Sequence, residues 1–155
     1  MVLFSCKEEK ILDFKKQNKE KIIEIVDTTI IERATFYNPT INQCDSNPFI
    51  TADGSLIDTV KLNKGKLRWV ALDQKSIYNK YKARLNPGYF EGFLRFNDTI
   101  EVFSKEFPEV NGCWIVKDVM NKRYKNSLDF LLPISGNDFH KFRKHGIIND
   151  LVIIY

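Results

Sequence analysis

The sequence predicts one mostly-β domain, a barrel or a sandwich, and three observations support this. The chain has 155 residues, 43% hydrophobic and 28% charged, so it can bury a full core within a single domain. Short runs of β-branched and aromatic residues recur along it, separated by Asn, Pro and Gly. Helical segments are few and short, so the regular strand–helix alternation of parallel α/β folds is missing.

Each element follows from local composition. Two Asn-Pro pairs and two glycines predict that residues 38–66 are mostly loop. Short helices are predicted at Gln74–Arg84 and at Asp138–His145, where Asn137 is the N-cap. Strands are predicted where β-branched residues cluster: Ile22–Val26, Thr29–Tyr37, Arg68–Asp73, Asp98–Ser104, Gly112–Val119, Ser127–Leu132 and Leu151–Tyr155.

The first 28 residues differ in amino-acid composition from the rest of the chain. Residues 7–21 are rich in Lys, Glu, Gln and Asn, which predicts a spacer or a frayed helix. Just before them, Leu3–Cys6 resembles the end of a bacterial lipoprotein signal, in which the Cys receives lipid. The preceding residues lack the basic and apolar regions of such a signal, so a coincidental match stays open. We expect residues 1–28 to be a tether, lipidated at Cys6 in the first interpretation, and residues 29–155 to be the β domain.

Charge and cysteine content restrict function only weakly. The net charge of +4 suits an anionic polymer, but solubility is the preferred explanation, and nucleic acid is not the expected partner. The three cysteines lack metal-ligand spacing; they are unrelated thiols or include a Cys44–Cys113 bridge. The sequence contains no Gly-x-Ser-x-Gly elbow, P-loop, dinucleotide fingerprint or His-Glu-x-x-His motif.

Three aspartates stand out because Asp is depleted in strands. Asp73 and Asp118 each end a predicted strand, and Asp129 lies inside one. Apolar neighbours desolvate a carboxylate, which raises its pKa toward the value that a general acid needs. The alternative for each Asp is structural: it caps a turn or pairs with a nearby cation. The nearby cations are Lys117, Arg123 and Lys125.

The same aspartates belong to an ordered set of motifs. The set opens with Thr35–Pro39, Cys44–Pro48 and Thr51–Gly54. It continues with the three acids, in Val70-Ala71-Leu72-Asp73, Val116-Lys117-Asp118 and Leu128-Asp129-Phe130, the last two acids 11 residues apart. Over about residues 30–155 this order resembles the 3D domain family, which is named for three aspartates. That family is related to the C-terminal part of membrane-bound lytic transglycosylase A.

The resemblance implies a six-stranded double-psi β-barrel with short peripheral helices, and cleavage of peptidoglycan glycan strands. In lytic transglycosylases of this type, one carboxyl group protonates the glycosidic oxygen. It then takes the proton of the muramyl C6 hydroxyl, which leaves a 1,6-anhydro end. By motif position that carboxyl is Asp129, while Asp118 and Asp73 tune its pKa and hold the sugar. The resemblance implies neither a metal nor a cofactor.

The substrate-contacting residues implied by the resemblance surround the acids. Thr51 would line the groove, and Tyr37, Trp69 or Tyr124 would stack on sugar rings, although such aromatics are more often core. Asn121, a further predicted substrate contact, ends the segment Val119-Met120-Asn121, where the family often has Thr-Gly-Gly. These larger side chains would narrow the groove or reshape the loop beside it.

Two classes of function follow. The first is a glycan-cleaving enzyme of the bacterial cell envelope, periplasmic or tethered to the membrane through Cys6. The second is a non-catalytic double-psi barrel that binds wall glycan or a protein partner. An enzyme requires Asp118 and Asp129 to converge with Asp129 desolvated, whereas in a binding module they lie apart or are neutralised by Arg123 and Lys125. A nucleic-acid-binding barrel is a weaker third reading, based only on charge and aromatic content.

Overall fold

The computed structural model describes residues 27–41, 47–77, 92–133, 142 and 144–155. Within these residues, six strands form a closed barrel in the order β1-β5-β2-β4-β3-β6. A short helix, α1, and one turn of 3-10 helix lie between them, and the described residues 142, 144 and 145 are helical as well. The strands are β1 Thr28–Tyr37, β2 Trp69–Leu72, β3 Thr99–Phe103, β4 Gly112–Val119, β5 Ser127–Leu131 and β6 Ile148–Ile154; α1 is Thr59–Asn63 and the 3-10 turn is Pro108–Val110.

The barrel is a mixed sheet. The pairs β1–β5 and β2–β4 are parallel. The other four neighbouring pairs are antiparallel. Closure pairs every strand on both sides and therefore removes the exposed edges that an open sheet would present. The prediction of a mainly β domain is confirmed, and of its two alternatives the structure is the barrel.

Side chains that alternate along the strands fill the barrel interior. Phe130, fully buried, lies at its centre, with its ring 5.6 Å from that of Phe36 and 4.6 Å from that of Trp114. Aliphatic residues of every strand surround these rings, among them Ile31, Val70, Ile100, Val116, Leu128 and Ile153. Burial of this apolar surface is the main favourable contribution to the stability of the barrel.

A second, smaller apolar cluster lies on the outer face of β1, β5, β2 and β4. Leu62 of α1 and Ile57 pack there against outward-facing strand residues, which are Tyr37, Ala71 and Leu131, and against Met120 just after β4. Asp58 caps α1, since its Oδ1 accepts hydrogen bonds of 3.0 Å from the backbone N–H groups of both Val60 and Lys61. The chain before β2 therefore covers the sheet on the side where the candidate acids project.

The predicted strands that fall within the described residues are all present, and β4 has the predicted ends. Helix α1 lies in the segment that was predicted to be loop, where the N-cap residue Asp58 is the only local signal for a helix. The predicted helix at Gln74–Arg84 does not begin at Gln74, because the Asp73 carboxylate holds the following residues in a turn and Ile77 pairs with Leu94. Residues 78–84, the predicted strand Ile22–Val26 and most of the predicted helix Asp138–His145 lie outside the described residues. No helix in the described part of the chain is long and apolar enough to cross a membrane.

Candidate functional site

A row of four paired residues crosses the outer face of the barrel. Asp118 of β4 pairs with Ala71 of β2, Ala71 pairs with Asp129 of β5, and Asp129 pairs with Thr35 of β1. Paired residues project from the same face of a sheet, so all four side chains point outward. The two acids are two strands apart, about 10 Å between Cα atoms. They are close enough to interact, since the charge of Asp118 raises the pKa of Asp129.

A β-bulge brings Asp118 into this row. The register of β2 and β4 shifts after Val70, so that Ala71 faces Asp118 rather than Lys117. Without the shift, Asp118 would pair with the buried Leu72 and point into the core. With it, Lys117 and Asp118 both point outward, and Val119 packs on the core instead.

Asp129 has the most perturbed carboxyl group among the described residues. Its Oδ1 is buried and has no hydrogen-bond partner in the described part of the chain. Burial raises the pKa of Asp129 from 3.8 to about 7; a hydrogen bond from Thr35 opposes this, the charge of Asp118 adds to it, and the charge of Arg33 opposes it. Near neutral pH this carboxyl group therefore exchanges its proton readily, as a general acid and base must.

Asp118 is held in place by three donors. Its Oδ1 accepts hydrogen bonds from the backbone N–H of Ala52 at 3.0 Å and from that of Val119 at 2.9 Å. Its Oδ2 accepts one from the Tyr37 hydroxyl at 3.2 Å. Burial raises the pKa of Asp118, these three hydrogen bonds lower it, the charge of Asp53 raises it, and the net direction is upward. The three hydrogen bonds thus fix the orientation of the Asp118 carboxylate.

A third acid, Asp53, anchors the turn that supplies the Ala52 N–H. Its Oδ2 lies 3.0 Å from the Lys117 Nζ, and its Oδ1 accepts from the Thr51 hydroxyl at 2.6 Å and from the Ser55 N–H at 2.9 Å. Lys117 also donates to the Ser55 hydroxyl and to Asn97, with its ammonium 5.3 Å from the Trp69 ring centre. Burial raises the pKa of Asp53, but the hydrogen bonds from Thr51, Lys117 and Ser55 outweigh it and leave the pKa lowered.

Asp73, the remaining predicted acid, has a different environment. It is 1% exposed, and its carboxylate accepts from the Lys75 N–H at 3.0 Å and the Ser76 hydroxyl at 2.7 Å. Asp73 is not among the charged groups that shift the pKa of Asp129, which are Asp118 and Arg33. These contacts match the turn-capping alternative for Asp73, whereas Asp118 and Asp129 share one site.

The predicted substrate-contacting residues lie around this site with varied exposure. Thr51 is buried, and its hydroxyl is directed at Asp53. Tyr37 is buried and bound to Asp118. Tyr124 is half-buried against the outer apolar cluster, and the exposed Asn121 accepts from the Arg123 N–H through its side chain. Their contacts with sugar stay predictions.

The sequence analysis did not single out Thr35, Arg33 or Asp53, and it considered Lys117 only as an ion-pair partner for one of the strand acids. Thr35 and Asp53 lie within the quoted motifs Thr35–Pro39 and Thr51–Gly54, so a signal was present for both. Within the described residues, neither Arg123 nor Lys125 forms an ion pair with Asp118 or Asp129.

The cysteines bear on compartment rather than on the site. Cys113 forms a disulfide bond. Cys6 lies outside the described residues, so its predicted lipidation stays a prediction. Cys44 lies outside them as well, and so does its part in the predicted Cys44–Cys113 bridge. In the part of the chain that the structure describes, no group of three or more His, Cys, Asp or Glu side chains could hold a metal ion.

No family model and no curated protein matches this chain.

Proposed function

We propose that the protein is a peptidoglycan lytic transglycosylase in which Asp129 is the general acid and then the general base. The observation that carries the proposal is the buried, unpartnered Oδ1 of Asp129, which shares one face of the sheet with Asp118. A finer description of the fold belongs to the same proposal: a six-stranded, mixed, closed barrel is compatible with the double-psi β-barrel of the 3D domain family.

The reaction needs one group that can give and then take a proton. In the first step, protonated Asp129 donates to the glycosidic oxygen while the C1–O bond of the muramyl residue breaks. In the second, the Asp129 carboxylate takes the proton of the C6 hydroxyl as its oxygen bonds to C1. Asp129 ends protonated, and no water is consumed. A pKa of about 7 suits both steps, since neither protonation state is strongly disfavoured at neutral pH.

Asp118 has a supporting electrostatic role in this scheme. The transition state at C1 has oxocarbenium character and is stabilised by a nearby negative charge. The hydrogen bonds from Ala52, Val119 and Tyr37 hold the Asp118 carboxylate in one orientation. The same charge raises the pKa of Asp129 and so keeps the acid protonated before the first step.

The disulfide bond of Cys113 supports a location in the cell envelope. Disulfides persist in oxidising compartments such as the bacterial periplasm and are rare in the cytosol. Peptidoglycan lies in the same compartment, so the disulfide and the proposed substrate are mutually consistent.

The test is incubation with purified peptidoglycan sacculi, followed by mass spectrometry of the released fragments. Asp129→Asn removes the proton-transfer group with little change of shape. The matched control is Asp150→Asn at an exposed position, where the φ of 51° is a conformation that Asn adopts readily. We expect 1,6-anhydro ends from the wild type and from the control, and release slower by roughly 100-fold or more from Asp129→Asn. Reducing ends instead would identify a hydrolase, and no release at all would contradict the enzymatic proposal.

A non-catalytic module that binds wall glycan is the second candidate. The observation that favours it is that the carboxylates of Asp53, Asp73 and Asp118 each accept several internal hydrogen bonds, as structural acids do. This candidate predicts that the wild type sediments with sacculi without releasing fragments. It also predicts that Asp129→Asn sediments equally well.

A further inference from the structure

Two arginines converge on one tyrosine at the end of the candidate site. The guanidinium carbon of Arg123 lies 4.8 Å from the centre of the Tyr124 ring, and that of Arg33 lies 5.9 Å from it. Arg123 also donates from Nη2 to the Tyr124 hydroxyl at 2.9 Å. Cation–π contacts of this kind position a guanidinium group without neutralising its charge.

The local fold holds this pair of arginines in place. Tyr124 packs against the outer apolar cluster, to which Tyr37, the partner of Asp118, also belongs. The turn that carries Arg123 is closed by Asn121, whose side chain accepts from the Arg123 N–H and whose carbonyl accepts from the Tyr124 N–H. Arg33 is part of β1. Both cations are therefore attached to rigid elements.

Among the described residues, no ion pair balances the positive charge here. Within the described residues, neither Arg33 nor Arg123 forms an ion pair with an acid. Lys122 and Lys125, both exposed, add like charge to the same turn. The carboxyl group that interacts with Arg33 is that of Asp129, which is partly protonated near neutral pH. Two cations on one ring that lack a fully charged acid as partner repel one another, and a bound anion would relieve this repulsion.

The register places these cations beside the proposed acid. Arg33 pairs with Ser127, and Thr35 pairs with Asp129. Arg33 therefore lies two residues along β1 from Thr35, which belongs to the row of four paired residues that contains Asp129. That step is about 7 Å, and both side chains are on the same face of the sheet. An anion bound to Arg33 would thus be within about one sugar residue of the bond that Asp129 cleaves.

We propose that Arg33 and Arg123, arranged around Tyr124, form a subsite for a carboxylate group of the glycan substrate. The inference rests on the proposed function, and it narrows the substrate to an acidic glycan. Guanidinium groups favour carboxylates because their paired N–H groups match the two carboxylate oxygens. In peptidoglycan the carboxylate comes either from the lactyl group of a muramyl residue or from the peptide attached to it.

The test is equilibrium binding, measured by calorimetry or NMR titration at low and high salt with three soluble probes. The first is the disaccharide of N-acetylglucosamine and N-acetylmuramic acid, with a free lactyl carboxylate. The second is the same disaccharide with the lactyl group coupled to Ala-Glu, so that its carboxylates lie on the peptide. The third is neutral di-N-acetylglucosamine. The proteins are the wild type, the double variant Arg33→Gln/Arg123→Gln, and the control Lys105→Gln/Lys144→Gln, which changes net charge equally at exposed positions.

We expect the wild type and the control to bind at least one acidic probe about tenfold more tightly than the neutral probe. The preference should weaken with salt and disappear in the double variant, while affinity for the neutral probe stays constant. The better acidic probe identifies the source of the carboxylate. Equal affinity for all three probes, or a preference that survives in the double variant, overturns the inference. Absence of binding by every probe overturns it as well.

A second readout separates the two arginines. The charge of Arg33 lowers the pKa of Asp129, whereas Thr35, Asp118 and burial are the other influences on that carboxyl group. Arg33→Gln should therefore raise the pKa of Asp129 in a carbon-13 NMR titration, and Arg123→Gln should leave it nearly unchanged. Because neither measurement needs turnover, a carboxylate preference without anhydro products would keep the subsite and refute only the enzymatic proposal.

Discussion

Asp53, in a turn packed on Lys117 of β4, and Asp129, on β5, have opposite electrostatic environments. Asp53 is surrounded by donors from Thr51, Ser55 and Lys117, and its pKa is lowered. Asp129 has a buried oxygen that finds no partner among the residues the structure describes, and its pKa is raised to about 7. The residue type is identical, so the difference arises from what the fold supplies to each carboxylate.

The comparison separates two uses of a buried acid. A carboxylate that is fully hydrogen-bonded stays charged and holds structure together, as Asp53 does for the turn that reaches Asp118. A buried carboxyl group with one oxygen left without a donor favours its protonated form, which lowers the stability of the ionised protein but makes a proton available. The region of Asp53 therefore orients Asp118, and the charge of Asp118 in turn raises the pKa of Asp129.

The largest effect that the comparison predicts is on turnover. Asp129→Asn should lower the rate of anhydro-product release from sacculi by roughly 10²–10⁴-fold, the usual contribution of general acid–base catalysis. Asp53→Asn should have a much smaller effect, because Asp53 acts only through the Ala52 turn. Initial rates by mass spectrometry distinguish the two. Similar losses in both variants would show that Asp129 has no distinct chemical role.

Stability should depend on pH in opposite directions for the two acids. Because the folded-state pKa of Asp129 is above its unfolded value of 3.8, the folded state binds more protons, and stability falls as pH rises from about 4 to 7. The full fall corresponds to about 4 kcal/mol. The lowered pKa of Asp53 acts in the other direction: its contribution is present above its unfolded pKa and is lost as pH falls through the folded value.

Urea unfolding of wild type and Asp129→Asn between pH 3 and pH 8 measures this difference. We expect the variant to gain stability relative to wild type as pH rises, most clearly above pH 7. A smaller fall should persist in the variant because the pKa of Asp118 is also raised. Parallel curves for the two proteins would contradict the assignment of the titration to Asp129.

Removal of the cation that neutralises Asp53 should make its region resemble that of Asp129. The Asp53 and Lys117 side chains are 5% and 14% exposed, so Lys117→Met leaves a nearly buried carboxylate without its cation. Loss of one partner of a buried pair costs about 3–5 kcal/mol. The double variant Asp53→Asn/Lys117→Met should recover part of this loss. If the two single effects simply add, measured by urea unfolding, then the pair is not coupled as the contacts indicate.

The strands were predictable from sequence because β-branched runs and core alternation are local signals. β4 has its predicted ends for this reason. The site was predictable only in part. Asp118 and Asp129 were selected as acids in strands, but their proximity depends on the bulge after Val70, which no local pattern of Lys117-Asp118 reveals. The pairing of Asp53 with Lys117 joins residues 64 positions apart, and such contacts follow from topology alone.

The smallest predicted effect concerns Asp73 and tests whether it belongs with Asp53 or with Asp129. Its carboxylate accepts from the Ser76 hydroxyl at 2.7 Å, so Ser76→Ala removes one donor from a buried turn. The expected cost is about 1 kcal/mol, typical of one hydrogen bond in a cap. If Asp73 is structural, unfolding in urea shifts while the NMR titration of Asp129 is unchanged. A shift in the Asp129 titration would instead couple Asp73 to the site and return it to the role that the three-aspartate resemblance implies.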